Sequence, residues 1–280
     1  MSSAPILDNK DPDAASVFEP AALLREARRQ KGLAPAEVPA ICILDPDGDI
    51  VRSLKKSAQA KLSESWPCYH TELYEFVLQG TTCGIIGCAV GAPFAVLVAE
   101  ELFALGCRLL ISLTSAGQIN PVGAPPYFVV IDRALRDEGT SYHYAAPEPF
   151  AAADPALVAA AIRALTEKGL PAHVGASWTT DAPFRETQSA IDAARAKRIL
   201  AVEMEAAALY AFARAAKRNV LCLAHVTNTM AVAEQDFEKG EADGTVDALR
   251  VLETIAGALG EDLKGASGEA YCAVTRDAAD

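Results

Sequence analysis

The sequence has no block rich in lysine and arginine. Its 280 residues include 25 lysines and arginines against 37 aspartates and glutamates, which gives a net charge of -12. Proteins that bind nucleic acid or an anionic membrane surface need clustered positive charge, so we expect neither partner here. An acidic protein can still bind a small anion locally, through a few cations or backbone N–H groups.

The sequence also lacks paired cysteines, a leader segment and a metal-binding pattern. Its seven cysteines are odd in number, include no C-x-x-C pair and mostly lie in apolar runs, as reduced thiols do in cytoplasmic proteins. The opening residues, MSSAPILDNKDPDAA, contain no apolar core of a signal peptide. The four histidines are scattered and have no acids at ligand spacing. We therefore expect a cytoplasmic protein with no metal site.

Charge is absent from residues 76–99, a stretch long enough to span a bilayer. It is interrupted by Gly80, Gly84, Gly87, Gly91 and Pro93. A strand, a turn and the start of a helix explain such a stretch better than one membrane helix. The glycines lack the G-x-G-x-x-G spacing, and no acid follows at the expected distance, which argues against a dinucleotide-dependent dehydrogenase.

Short apolar segments alternate with helical patterns along most of the chain. The predicted strands include "PAICIL", "GTTCGIIGC", "CRLLISLT", "YFVVID", "HVGASW", "RILAV" and "NVLCLAHVT". The alternation predicts an α/β protein with a single main domain, in which a central mixed β-sheet is flanked by helices on both faces. We expect an N-terminal extension with a short helix (residues 1–38), the main domain (39–263) and a loose C-terminal tail (264–280).

Two acids stand where a predicted strand meets a predicted helix, in "LAVEMEAAALY". Ligands of α/β sheets bind at the carboxyl ends of strands. Residues two apart on a helix point to nearly opposite sides, so we expect one of Glu203 and Glu205 to cap the helix and the other to reach into the cleft. A carboxylate accepts two hydroxyl donors in parallel, which suits the 2′,3′-diol of a ribose. The alternative is that both acids only stabilise the helix, because the helix dipole favours an acid in the first turn by about 0.3–1 kcal/mol each.

These motifs resemble those of the purine nucleoside and uridine phosphorylase family. "AVEMEAAALY" resembles the family's ribose-binding segment, "GDIVR" its phosphate-loop pattern Gly-Asp-x-x-Arg, and "LTSAG" its central turn. "CAVGAP", "DEGTSYHY" and "SWTTDAPFRET" also match family members in wording and order. The resemblance covers about residues 41–259, and it identifies the main domain as a nucleoside phosphorylase-like catalytic domain.

The family cleaves the N-glycosidic bond of a nucleoside with phosphate, releasing a free base and ribose 1-phosphate, with phosphate as co-substrate and no cofactor. The resemblance implies a homo-oligomer, a dimer or a hexamer. It assigns catalytic roles to Glu205, Arg52 and Asn228, and substrate contacts to Gly48, Thr114, Met204, Glu203, Phe184, Arg185, Trp178 and His143. Four of these residues have a purely structural role as the alternative. Arg52 would then be a surface arginine, Thr114 a turn cap, Phe184 a core residue and His143 a packing residue.

The sequence departs from the family at three places. A second phosphate arginine has no match around residues 69–75, where His70 is the nearest polar candidate and a surface or core histidine is the alternative. The other two departures are in the quoted motifs. The pattern Arg-x-Gly-(Ser/Thr) has Ile111 in place of its arginine, and "V-S-D" of purine-active members is replaced by a motif ending in Asn228. The first of these two changes weakens phosphate binding unless another cation such as Lys55 substitutes. The second removes a proton donor for a purine, because an amide donates a hydrogen bond but transfers no proton usefully. We expect a uridine-like substrate, with a purine as the alternative. The other hypotheses are a phosphate-independent nucleosidase and a nucleoside-binding protein without turnover.

Overall fold

The structure is a computed structural model that describes residues 5–230 and 237–265, with side chains described as far as residue 260. Most of the predicted strands are present. The strands are β1 Ile41–Asp45, β2 Lys61–Leu62, β3 Tyr74–Leu78, β4 Thr81–Gly87, β5 Leu109–Gln118, β6 Tyr127–Asp137, β7 Phe150–Ala152, β8 Ala172–Thr180, β9 Ala201–Glu203 and β10 Asn219–Asn228. The helices are α1 Pro20–Lys31, α2 Asp49–Lys56, α3 Ala92–Ala104, α4 Pro155–Glu167, α5 Gln188–Ala196, α6 Ala206–Ala216 and α7 Thr245–Gly265.

All ten strands belong to one mixed sheet, in the order β10-β6-β8-β9-β5-β1-β4-β3-β2, with β7 on β6. Strand β10 also pairs with β5, so β5, β10, β6, β8 and β9 form a closed ring. Strand β1 runs parallel to both β4 and β5. The carboxyl ends of β1, β5 and β10 consequently meet at one edge of the molecule, where an α/β sheet binds its ligands.

Helices cover both faces of the sheet. The strands have apolar side chains on both faces, and the helices bury them. Along β1, Cys42 and Leu44 enter one hydrophobic core, and Ile41 and Ile43 enter another, as the twofold alternation of a strand requires. The first core is closed by α3 and α6, and the second by α2, α4 and α7. The predicted α/β class with flanked mixed sheet is confirmed. The boundaries at 38 and 263 stay predictions, and residues 266–280 of the predicted tail lie outside the described residues.

The sequence analysis missed two elements next to the predicted phosphate loop. Helix α2 begins directly after the turn at Gly48, and it packs Ile50, Val51 and Leu54 into the core. Strand β3 buries Tyr74, Phe76 and Leu78 in strict alternation. Both elements are short, and short apolar runs are the ones for which periodicity gives the weakest signal.

The uncharged stretch at residues 76–99 is divided among the end of β3, strand β4 and the first half of α3. Among the helices that the structure describes, none combines the length and the hydrophobicity that a bilayer crossing requires. Five cysteines are buried free thiols and Cys88 is an exposed one. Cys272 lies outside the described residues.

Candidate active site

A cavity of about 330 Å³ opens at the edge where β1, β5, β9 and β10 end. It brings together segments that lie far apart in the sequence, from the turn after β1 to the loop after β10. Its lining includes Asp47, Val90, Thr114, Ser115, Gly117, Phe184, Glu186, Glu203, Met204, Glu205, Asn228, Met230 and Phe237. Six of the predicted site residues are in this set: Thr114, Phe184, Glu203, Met204, Glu205 and Asn228.

Glu203 is held on all sides by hydrogen bonds. One carboxylate oxygen accepts from the hydroxyl groups of Ser177 (2.9 Å) and Thr179 (2.5 Å). The other accepts from the backbone N–H groups of Glu205 and Ala206, both at 2.7 Å. These N–H groups stand at the start of α6, where the helix leaves its donors unpaired. Glu203 therefore caps the helix and ties it to β8.

Glu205 has a different environment, although it lies only two residues away. Its side chain is 1% exposed, and one carboxylate oxygen accepts from the Gly91 N–H at 2.7 Å. The second oxygen, Oε2, is buried without a hydrogen-bond partner. A buried carboxylate oxygen without a donor is costly, so its presence in a cavity points to a ligand that supplies the donor.

Burial raises the pKa of Glu205 to about 8, and the nearby charge of Glu203 acts in the same direction. The backbone N–H groups of Gly91 and Met204 oppose this shift. Hydroxyl donors from a ligand would favour the ionised form and lower the pKa. The raised pKa favours the neutral carboxyl group, and hydroxyl donors from a bound diol would shift Glu205 toward the ionised form.

The raised pKa predicts that Glu205→Gln stabilises the protein, and more so at higher pH. Between the ordinary value of 4.5 and the folded value of about 8, the folded chain keeps a proton that the unfolded chain has released, so wild-type stability falls as pH rises through that window. The gain from the variant should be near zero at about pH 5 and on the order of 3 kcal/mol at about pH 8. Urea unfolding at both pH values measures it. An equal gain at both would show that Glu205 does not carry the shift.

The mouth of the cavity is apolar and open. The Phe184 ring is 99% exposed, and Val90 and Phe237 are also exposed large side chains. Met204 and Met230 line the cavity between this rim and the carboxylates. Exposed aromatic and aliphatic side chains grouped around a concave site mark a binding surface for a flat apolar group.

Asn228 places an amide on the cavity wall at the end of β10. Its side-chain oxygen accepts from the Met230 N–H at 2.9 Å. The amide nitrogen makes only long contacts, at 3.3 Å to the Thr227 hydroxyl and 3.5 Å to the Ala116 carbonyl. The oxygen is thus anchored, and the NH₂ group is the part that can donate to a ligand.

The predicted phosphate residues Gly48 and Arg52 line a second cavity of about 690 Å³ beside the first. The Gly48 N–H donates to the Asp45 carbonyl (2.9 Å) and carboxylate (3.1 Å). Gly48 has φ +76, and a Cβ there would lie 2.8 Å from Arg52 Nη1, so glycine allows the guanidinium to approach the loop. Arg52 donates to the carbonyl of Asp47 at 2.9 Å and to the carboxylate of Asp49.

Besides Gly48 and Arg52, three predicted contacts lie outside the 330 Å³ cavity. Trp178 is buried in the core, where its indole N–H donates to Asp137 at 2.9 Å. Arg185 is exposed and absent from the cavity lining, and His143 is exposed at the end of a short 3-10 helix. Ile111 is fully buried in the core. Lys55, the suggested substitute cation, donates to the Tyr74 hydroxyl at 2.6 Å in the larger cavity.

Two cavity acids were not singled out from the sequence. Half-buried Glu186 lies on the wall near Phe184, and burial raises its pKa to about 7. Asp47 bonds to Ser115, a residue 68 positions away, so only the folded chain reveals the contact. Among the residues that the structure describes, no group of three or more His, Cys, Asp or Glu side chains is arranged to hold a metal ion.

Comparisons with known proteins identify related sequences. The family model of the phosphorylase superfamily matches residues 40–257. The chain is 26% identical to a uridine phosphorylase of Thermococcus kodakarensis over 200 residues, which cover 67% of this chain and 70% of the relative. It is 30% identical to a guanosine phosphorylase of Halorubrum lacusprofundi over 135 residues, or 48% of this chain and 56% of that relative.

The fold is similar to that of a solved structure. A crystal structure of uridine phosphorylase from Vibrio fischeri superposes with a TM-score of 0.65 at 20% identity, covering 83% of this chain and 93% of the other. The family model spans well over half of the chain. The chain therefore belongs to the phosphorylase superfamily, the nucleoside phosphorylase family that its motifs resemble.

Proposed function

We propose that this protein is a nucleoside phosphorylase that cleaves the N-glycosidic bond of a ribonucleoside with phosphate, giving a free base and ribose 1-phosphate. The observation that carries the proposal is the buried, unpaired Oε2 of Glu205 on the wall of the 330 Å³ cavity. The 2′- and 3′-hydroxyls of a ribose supply the donors that this carboxylate lacks. Charge-assisted hydrogen bonds of this kind are about twice as strong as neutral ones.

The remaining contacts of a nucleoside follow from the shape of the cavity. Met204 lies beside Glu205 and supplies an apolar contact to the sugar. The exposed ring of Phe184 can stack on the base at the mouth. Positive charge develops on the sugar during cleavage. A phosphate oxygen held near Thr114 is well placed to stabilise that charge.

In this proposal phosphate is the nucleophile that attacks the sugar. Arg52 is its main cation, and the guanidinium must turn from Asp49 and the second cavity to reach it. A second candidate is a phosphate-independent nucleosidase. It is favoured by one observation: Ile111, which stands where the family pattern has arginine, is fully buried in the core. Position 111 on β5 therefore supplies no positive charge to the phosphate.

For the base we propose a pyrimidine such as that of uridine. The Asn228 amide can donate a hydrogen bond to a base oxygen, whereas it cannot protonate a purine ring nitrogen. A uracil leaves as a stabilised anion and needs only such a donor. One relative is named a guanosine phosphorylase, so a purine stays the alternative base. Glu186 lines the cavity, and its carboxylate could accept hydrogen bonds from the N–H groups of a purine.

The role of Asn228 predicts that Asn228→Asp shifts the base preference toward purines. The substituted carboxyl group can carry a proton to a purine ring nitrogen, and as a carboxylate it repels the oxygens of uracil. We expect the ratio of kcat/KM for inosine over uridine to rise by about 100-fold, the lower end of the usual range of general acid catalysis. Steady-state kinetics on both substrates measure it. An unchanged ratio would mean that the base does not contact residue 228.

The function itself is tested by incubating the protein with uridine, inosine and guanosine, each with and without phosphate, and separating the products. The proposal predicts that base release requires phosphate, that ribose 1-phosphate accompanies it and that uridine reacts fastest. Free ribose formed without phosphate would establish the nucleosidase instead. Thermal stabilisation by a nucleoside with no base released would establish a binding protein without turnover.

The cytoplasmic location and the homo-oligomeric assembly, a dimer or a hexamer, remain part of the proposal. The assembly rests on the resemblance to the family, and the location rests on the cysteine pattern and the opening residues of the sequence. Light scattering at several protein concentrations measures the assembly.

A further inference from the structure

The donors at the end of β5 are occupied by a carboxylate of the chain itself. Asp47 accepts from the Ser115 backbone N–H at 2.8 Å through one oxygen and from the Ser115 hydroxyl at 2.9 Å through the other. A backbone N–H and an adjacent hydroxyl are a donor pair that suits two oxygens of a phosphate. Ser115 follows Thr114, and all three residues line the cavity that contains Glu205.

The cations beside this pair are also engaged. Lys239 contacts Asp49 with an N–O distance of 2.5 Å, and the Arg52 guanidinium contacts the other oxygen of the same carboxylate. The charges of Asp47, Asp49, Arg52 and Lys239 sum to zero. Each donor group named here therefore has an acceptor within the chain, and a phosphate would meet a site whose positive charge is already neutralised.

The Asp47 side chain can leave Ser115 without unfolding the loop. Its backbone carbonyl is held by Arg52 at 2.9 Å, and Gly48 is held by Asp45. The side chain itself is only half-buried and lines the open cavity. Rotation of the side chain is thus the motion that frees the Ser115 donors.

We propose that Asp47 is an intramolecular competitor of phosphate, which binds at Ser115 only when it displaces the Asp47 carboxylate. This inference rests on the proposed function, because it concerns the acceptor of that reaction. It makes Asp47 the residue that determines how much phosphate the enzyme needs. Removal of Asp47 frees two donors and removes a like charge from the site.

The test compares Asp47→Ala and Asp47→Asn with wild type by titrating the full-length protein with inorganic phosphate in a calorimeter. The asparagine variant keeps the shape of the side chain, so it still tests phosphate binding if the alanine variant fails to fold. We expect phosphate to bind both variants about 10- to 100-fold more tightly than wild type, because a like charge in contact has been removed. The KM for phosphate should fall by a similar factor.

Asp192→Asn is the matched control, because it removes one negative charge from an exposed position on α5. Its phosphate affinity should stay within about twofold of wild type, as expected for a screened surface charge. Phosphate affinity that is unchanged or weaker in both Asp47 variants would overturn the inference. If no nucleoside is cleaved by any of the proteins, the proposed function fails, while calorimetry still decides whether Asp47 excludes phosphate.

Discussion

Glu205→Gln should lower kcat/KM for a ribonucleoside by about 10³-fold. The ionised carboxylate accepts two charge-assisted hydrogen bonds from the ribose diol, and each contributes roughly 1.5–3 kcal/mol. The neutral amide keeps the size of the side chain but offers one acceptor oxygen, and its NH₂ group meets a hydroxyl that must turn its proton away. Since about 1.4 kcal/mol corresponds to a factor of ten, the loss of most of this interaction gives the predicted decrease.

The substrate itself supplies a second test of this effect. A 2′,3′-dideoxynucleoside has no hydroxyls for Glu205 to bind, so the wild type and Glu205→Gln should cleave it at rates within about threefold of each other. Glu167→Gln is the control for the substitution, because Glu167 is exposed at the end of α4 and lies outside the cavity. Equal losses on the ribonucleoside and its dideoxy analogue would show that Glu205 does not act through the diol.

Glu203→Ala should have its main effect on stability instead. The substitution leaves two hydroxyl groups and two backbone N–H groups without their acceptor in a buried site. Each buried donor left without an acceptor costs about 1–3 kcal/mol, so we expect a loss of at least about 3 kcal/mol in the free energy of unfolding. Urea unfolding near neutral pH measures this loss, with Glu167→Ala as the exposed control. A loss below about 1 kcal/mol would mean that Glu203 is not the cap of α6.

The two glutamates illustrate what the sequence could predict. Their positions at a strand–helix junction predicted one cap and one cleft carboxylate. In the structure the Glu203 carboxylate, at the end of β9, accepts from N–H groups at the helix start, and Glu205 has an unpaired buried oxygen. The helix at Pro155–Glu167 was equally predictable, because Asp154 caps it with a side-chain bond to the Ala156 N–H. Signals of this kind are local, and they depend on residues only a few positions apart.

Contacts across the sheet were less predictable. Trp178 falls in a segment that resembles the base-binding part of the family, yet Ser177 and Thr179 on either side of it both bond to Glu203. Side chains alternate along a strand, so Trp178 must face the opposite side, toward the core. The alternation of β8 was visible in the sequence, but the position of Glu203 beside it was not.

The contact between Asp47 and Ser115 had no sequence signal at all. Asp47 appears in the sequence as one acid of the turn "DPDGD", a composition that predicts a turn and nothing about its partner. The pairing of β1 with β5 brings the two residues together. The contact of Asp47 with Ser115 therefore depended on the fold, whereas the phosphate loop and the ribose segment were visible as local motifs.

A crystal structure of the protein with uridine bound tests the central claim most directly. The account predicts that the ribose lies in the 330 Å³ cavity, with its 2′- and 3′-hydroxyls within about 3 Å of the Glu205 carboxylate oxygens, the ordinary length of a hydrogen bond. A uridine bound with its sugar elsewhere, and Oε2 of Glu205 still unpaired, would contradict it.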